Sequence, residues 1–548
     1  MWVIRKILKY GRPLPMILYR LLALPSGFGK IYKSPPSVDE PPGPTPTPAT
    51  INIDAAAIVG EIHPYVYGGF IEVLGKCIYE GIWDEHNSNV PLLHGGLRQD
   101  VLEELRPLKL PIIRWPGGCF SDIYDWKKGI GPREERKSQR NKYWGWLGPK
   151  IGPRYDNHFG MDEFMQFVRE LGSDPYVNIN YGSGTAEEAA QWVEYANGNE
   201  KTEYGALRAK YGHPKPYNVK VWGIANEIYG IHEEGYSSAE DYGHRYIEFA
   251  EAMRAVDPSI KLVAVGTDFL YPKWNRTVLK IAGDYIDYLA LHIYTPFGLF
   301  RTLSNSVKDF YGIISGAFEF ERRIKWVEES IVEAMGPDKK IPIALDEWAT
   351  MWNLRQHFEG YYTLRDGLFA ASVFEVLHRH TDSVKMANYA QLVNVIPLIA
   401  TSSTDVYHNP VYLAFQLFSN HAEQFVVSSS VTCDSRACPK FGIISETEIP
   451  YLGCSVTTNQ AKDRLVIIGI NRHHAHEIPT EISISNFESV PNAQVFELNG
   501  PSHSAHNFFD KKDEVTIQEK KFSSVSSKFT YNFPAHSVTA LIIQKKGR

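Results

Sequence analysis

The chain is poor in cysteine. Its 548 residues hold five, Cys77, Cys119, Cys433, Cys438 and Cys454, and no two form a CxxC pair. That excludes a disulfide framework. An HExxH motif is absent and the 19 histidines show no metal-ligand spacing, so no metal and no cofactor is expected. Positive charge is not in excess: 57 Lys and Arg face 63 Asp and Glu, for a net charge of -6 and a pI near 6.4. That balance gives no sign of a nucleic-acid partner. No fixed-period repeat occurs. The apolar run Leu14–Leu24 is broken by Arg20, bounded by Pro13 and Pro25, and too short to span a bilayer.

Aromatic residues are plentiful at 13%, with 12 Trp and 31 Tyr. That suits a surface that stacks on sugar rings, although large cores use aromatics too. Met1 to Lys33 carries seven Lys or Arg and no acid. It has a basic start but a poor apolar stretch and no clean cleavage site. A basic amphipathic arm or transit-like segment fits as well as a signal peptide, and a cytoplasmic location is favoured over secretion. The sequon Asn275-Arg276-Thr277 does not settle the compartment. Ser34 to Thr50 holds seven prolines and reads as an extended linker. The folded part should therefore begin near Ile51.

From there to about Gln391, short apolar runs alternate with helical patterns. The candidate strands are Tyr65–Glu72, Ile112–Gly118, Pro175–Tyr181, Val219–Glu227, Leu262–Thr267, Tyr288–Tyr294, Ile341–Glu347 and Val384–Gln391. Helical segments include Leu97–Leu105, Asp162–Leu171, Ala186–Ala196 and Asp241–Val256. Eight such units predict an α/β fold, a (β/α)8 TIM barrel. A doubly wound sheet is the alternative, but it needs a glycine-rich phosphate turn that GGFIEVLGKC does not supply. Beyond Pro410 short alternating runs predict a C-terminal antiparallel β-sandwich, jelly-roll-like in character. Ile51–Val59 has no place in a barrel and should pair into that sandwich. The expected divisions are an arm and linker at 1–50, a joining strand at 51–63, the barrel at 64–400 and the sandwich at 401–548.

Two of the candidate strands share an unusual ending. VKVWGIANEIYG and IPIALDEW are apolar runs that stop at a carboxylate, Glu227 in the first and Glu347 in the second. A carboxylate at the end of a buried strand is costly unless it is paired or used. One alone would read as a structural ion pair; two fit the paired carboxylates of a glycosidase. The other strand ends carry Glu72, Arg114, Asn226, His292 with Tyr294, and Gln391. Singly, His292 fits a core histidine, Gln391 a helix cap and Arg114 an ordinary ion pair. Together they fall at one predicted face, where barrels of this kind do their chemistry. Trp126, Trp144 and Trp146 follow the second strand as stacking platforms or hydrophobic cover.

The sequence resembles the α-L-arabinofuranosidases of glycoside hydrolase family 51 from about Ile51 onward. The motifs that carry the likeness are YGGFIEVLGKCIYEGIWDE, IIRWPGGCFSDIYDWKKGIGPREER, VWGIANEIYG, LALHIY, ALDEWATMW and ANYAQLVNVIPLI. The resemblance implies an acid/base at Glu227, a nucleophile at Glu347 and substrate contacts from Glu72, Arg114, Asn226, His292, Tyr294 and Gln391. It also implies arabinofuranosyl glycans as the partner and allows a homo-oligomer. The family usually has Asn where this chain has Cys119, which puts a sugar contact in question. A milder departure is Ala349, where the family usually has Asn.

The expected reaction removes terminal non-reducing arabinofuranosyl residues in two displacements with retention. Glu227 is expected to be protonated at rest, because burial and the charge of Glu347 both raise its pKa. Two other functions share the same features: a retaining endo-β-1,4-glucanase or xylanase, and a non-catalytic carbohydrate-binding barrel.

Overall fold

The computed structural model describes residues 41–147, 152, 154–297, 303–351 and 362–547. The arm Met1–Lys33 and the side chain of Trp146 lie outside the described residues.

Eight parallel strands close into a barrel in sequence order. They are Gly68–Phe70, Ile112–Trp115, Asp174–Ile179, Val221–Ile224, Lys261–Ala264, Tyr288–Thr295, Ile343–Thr350 and Val384–Ala390. Helices cross back between them, among them Met161–Leu171, Ala186–Asn197, Ala239–Val256 and the 29-residue Val307–Met335. Their local logic is plain. Thr185 caps its helix by accepting from the Glu188 amide, and Glu188 returns a bond to the Thr185 amide. Gly172, at φ +71, ends Met161–Leu171 in the left-handed conformation that an L side chain resists.

The barrel interior is filled rather than open. Ile112, Tyr176, Val221, Val263, Ala290, Ala344 and Met386, from seven of the eight strands, form their own buried cluster. That plug leaves the C-terminal ends of the strands as the place for polar groups.

Among the described residues nine further strands form a sheet in which all neighbours but one are antiparallel, and eight short strands pair as four two-stranded ribbons. The exception comes from the N-terminal side. Ala49–Glu61 runs antiparallel to Phe425–Thr432 and parallel to Ile478–Ser485. Ile478–Ser485 alternates buried and half-buried residues, as a strand with one covered face should. Arg464–Asn471 is buried almost throughout. A buried ion pair ties the sheet to the barrel: Arg472 donates to Ser372 Oγ at 2.8 Å and pairs with Glu375 on helix Leu364–Arg379. The sequon is part of the core. Asn275 is fully buried, and its amide bonds the Thr267 backbone at both ends, so it offers no glycan site.

Candidate active site

The strand ends place every expected side chain around one cavity of about 310 Å³. Glu72, Cys119, Glu227, His292, Tyr294, Glu347 and Gln391 line it, and Arg114 and Asn226 lie just beneath.

Glu347 is the most firmly held. Arg114 Nη1 donates to Oε1 at 2.5 Å and the Tyr294 hydroxyl to Oε2 at 2.8 Å. Arg114 is 1% exposed, so its charge is little screened by water where it meets Glu347. Arg114 Nη2 also donates to Asn226 Oδ1 at 3.0 Å, which fixes the amide beside the nucleophilic position. The turn after strand two makes room for these groups. A Cβ on Gly118 would sit 2.6 Å from Glu347 Oε1, and one on Gly117 would sit 2.6 Å from Glu72 Cγ.

Glu227 leaves the fourth strand on a strained path. Ala225 and Glu227 have φ of +77 and +43, a region most side chains avoid. Asp122, fully buried, holds this turn by accepting from the Asn226 amide at 2.9 Å. Carboxylate oxygens of Glu227 and Glu347 approach within 4.8 Å of each other. His292 bridges the two strands. Its Nδ1 lies 2.7 Å from Glu227 Oε1, and its Nε2 lies 3.2 Å from Asp346 Oδ1.

The expected charge on Glu227 needs correction. Burial raises its pKa as anticipated, but bonds to His232 and His292 and their positive charges outweigh it. Its pKa falls below the ordinary carboxylate range, so its proton is shared with the histidines. Glu72 is raised instead, as are the buried Asp122 and Glu233 nearby. Burial and the charge of Glu347 push Glu72 up to about 8, against bonds from the Phe120 amide at 2.9 Å and Trp144 Nε1 at 3.0 Å. Gln391 Nε2 reaches its other oxygen at 3.3 Å.

Of the tryptophans, Trp144 lines the cavity. Trp126 does not: it is buried face to face with Trp192, ring centroids 5.8 Å apart. Cys119 lines the cavity as expected, and its Sγ accepts from Asn226 Nδ2 at 3.7 Å.

Several residues escaped sequence reasoning. Asp346 sits behind the site, accepting from the Tyr176 hydroxyl at 2.8 Å, with its other oxygen 3.2 Å from His292 Nε2. It could not be read from strand alternation, because the sheet register shifts there: Ala290 pairs with Ala344 but His292 with Glu347. His232 and Glu233 come from the loop after strand four, which has no period to read. Cys119, Glu227 and Glu233 bring donor atoms within 4.8 Å of one another, as do Glu227, His292 and Glu347, and the imidazoles and carboxylates there pair with one another.

Comparison with known proteins agrees with this geometry. A family model for the α-L-arabinofuranosidase 1 domain matches residues 104–309, and one for the α-L-arabinofuranosidase C-terminal domain matches 346–537. An intracellular exo-α-L-arabinofuranosidase from Bacteroides ovatus is 33% identical over 90% of this chain and 96% of its own. α-L-Arabinofuranosidase C of Emericella nidulans is 32% identical over the same shares. The α-L-arabinofuranosidase of Thermotoga maritima, solved with arabinose, superposes with a TM-score of 0.82 at 34% identity, covering 90% of this chain and 100% of that one. The Thermotoga petrophila enzyme, a family 51 structure, aligns equally well at 0.82 and 34% over the same shares. A barrel with its carboxylates at strands four and seven, and relatives alike over nine-tenths of the chain, make this a member of the family 51 α-L-arabinofuranosidases.

Proposed function

We propose that the chain releases terminal α-L-arabinofuranosyl residues from arabinose-containing glycans, with Glu347 as nucleophile and Glu227 as acid/base. The observation that carries the reading is the approach of the two carboxylates within 4.8 Å across the cavity. Retaining pairs stand about 5 Å apart, whereas inverting pairs leave room for a water.

Glu347, paired with Arg114, attacks the anomeric carbon. Glu227 passes a proton to the departing glycosidic oxygen. His292, 2.7 Å from Glu227, shares that proton and is itself backed by Asp346. Water then attacks the glycosyl ester, and Glu227 takes the proton from it. Asn226, fixed by Arg114, is placed to bond a sugar hydroxyl beside the reacting carbon. Glu72, largely protonated below pH 8, offers a donor as well as an acceptor to a second hydroxyl. We place the catalytic unit at 64–400 and the sandwich at 401–548.

Hydrolysis of 4-nitrophenyl α-L-arabinofuranoside, set against the β-xyloside and β-glucoside, tests the reading. A preference for either β-glycoside over the arabinofuranoside would overturn it.

A further inference from the structure

The loop that follows Glu227 folds back on it. His232 Nε2 stands 3.7 Å from Glu227 Oε2 and 3.2 Å from Glu233 Oε1. One nitrogen thus faces two carboxylates. The imidazole lines the cavity and is 30% exposed, while the Glu233 side chain behind it is fully enclosed. Tyr143 donates to the same Glu233 oxygen at 3.2 Å. A buried carboxylate with no role is costly to keep. Here it has a use: it seats an imidazole against the far oxygen of Glu227, opposite the oxygen that His292 holds.

We propose that His232 is a positioning residue for Glu227, held in place by Glu233, and that its charge sets how tightly Glu227 keeps its proton. The proposal rests on the assignment of Glu227 as acid/base. Three further observations support it. Burial opposes a charge on His232, but Glu227 and Glu233 outweigh it and push its pKa up to about 10, so it stays cationic through the neutral range. Glu227 sits in the left-handed region, so its side chain needs fixing from outside its own backbone. Finally, His232 approaches from the loop side, whereas His292 and Glu347 approach from strands six and seven.

Other titratable groups also face Glu227. Glu347, His292 with Asp346 behind it, and Arg114 beneath come from the strands. Cys119, Tyr143 and Tyr294 stand across the cavity, and Tyr229 and Tyr271 lie on the loop side. All stay the same when only position 232 is changed.

The test is the pH profile of kcat/KM on an arabinofuranoside with a poor leaving group, where Glu227 must be protonated. A cation a few ångströms away lowers a carboxyl pKa by about 1 to 3 units, so His232→Gln should move the alkaline limb up by about one pH unit. His232→Lys keeps the charge and should leave the limb within about 0.3 unit of the parent. A residue of structural value alone would lower the rate without moving the limb. The imidazole proton spectrum gives a second reading. His232 should stay protonated above pH 8 in the parent and titrate lower in Glu233→Gln. A limb unmoved in His232→Gln, or an imidazole that titrates near 6.5 in the parent, overturns the proposal. Azide rescue of Glu227→Ala checks the underlying assignment separately. If rescue fails, the assignment and the proposal fall together; if it succeeds and the limb stays, only the proposal falls.

Discussion

Replacing Gly118 by alanine should disable the enzyme without unfolding it. The new Cβ would meet Glu347 Oε1 at 2.6 Å, about 0.8 Å short of the 3.4 Å at which ordinary contact begins. A free side chain would swing away at little cost. Glu347 is not free, being held by Arg114 at 2.5 Å and Tyr294 at 2.8 Å. To clear the methyl it must lengthen one of those bonds and shift the attacking oxygen. A displacement of ~1 Å at a reacting atom costs on the order of 10²-fold, or ~2.7 kcal/mol of barrier. Steady-state kcat/KM on 4-nitrophenyl α-L-arabinofuranoside should therefore fall by about two orders of magnitude. The melting temperature should move little, because the backbone at Gly118 is not left-handed and the strain falls on one carboxylate. Gly172→Ala is the opposite control. There φ is +71 and nothing lies within 4 Å, so stability should drop by ~1 kcal/mol while activity holds. A Gly118→Ala enzyme with more than a third of parental kcat/KM would refute the claim that Glu347 is pinned.

The two carboxylates should separate by rescue. Glu347→Ala should be inactive on every glycoside, whereas Glu227→Ala should still form the glycosyl-enzyme from activated aryl substrates and be accelerated by azide to a product of retained configuration. A retained azide product from the Glu347 variant would reverse the roles. Cys119→Asn should raise kcat/KM on arabinofuranosides several-fold, since an amide offers contacts that a thiol lacks and one contact is worth ~1 kcal/mol; a tenfold loss would mean the thiol suits this enzyme's own substrate. Glu72→Gln, a mimic of the protonated acid, should remove an inflection in KM near pH 8; an inflection that survives would belong to another group. Stability should fall on acidification from about pH 6.5. Burial, aided by Arg379, holds His378 at about 3 in the fold, so the unfolded chain binds the extra proton first. The slope from this residue is ~1.4 kcal/mol per pH unit between those values. His378→Gln should flatten the dependence of the melting temperature on pH, and an unchanged slope would contradict the assignment.

The barrel was legible because each strand is an apolar run with a helix behind it, and a buried parallel strand needs little else. Its edges were less so. Val219–Glu227 reads as one strand, but only Val221–Ile224 is paired, because Ala225 and Glu227 turn left-handed to present the carboxylate. Tyr65–Glu72 likewise shrinks to Gly68–Phe70 after a tight turn at Pro64–Tyr67. In both cases the chemistry begins where the ladder stops. The sandwich strands Ile478–Ser485 and Lys528–Phe533 stand out little in the sequence for a different reason. They carry Ser, Thr and charged residues on their open faces, so their apolar content is too thin to stand out.

The site was legible at its strand ends and silent in its loops. Glu72, Arg114, Asn226, Glu227, His292, Tyr294, Glu347 and Gln391 could be found because each ends or follows an apolar run. His232 and Glu233 follow Gly230-Ile231 in a loop of mixed character, where no spacing singles them out. Yet they are the residues that bear on the charge of Glu227. From sequence, the neighbour of Glu227 that matters is Glu347, and like charges predict a raised pKa. In the fold, two imidazoles face it directly: His292 at 2.7 Å and His232 at 3.7 Å. Their bonds and positive charges outweigh burial, and a carboxyl expected to hold its own proton shares one instead. Position along the strands determines which groups meet; the loops determine the charge those groups carry when they do.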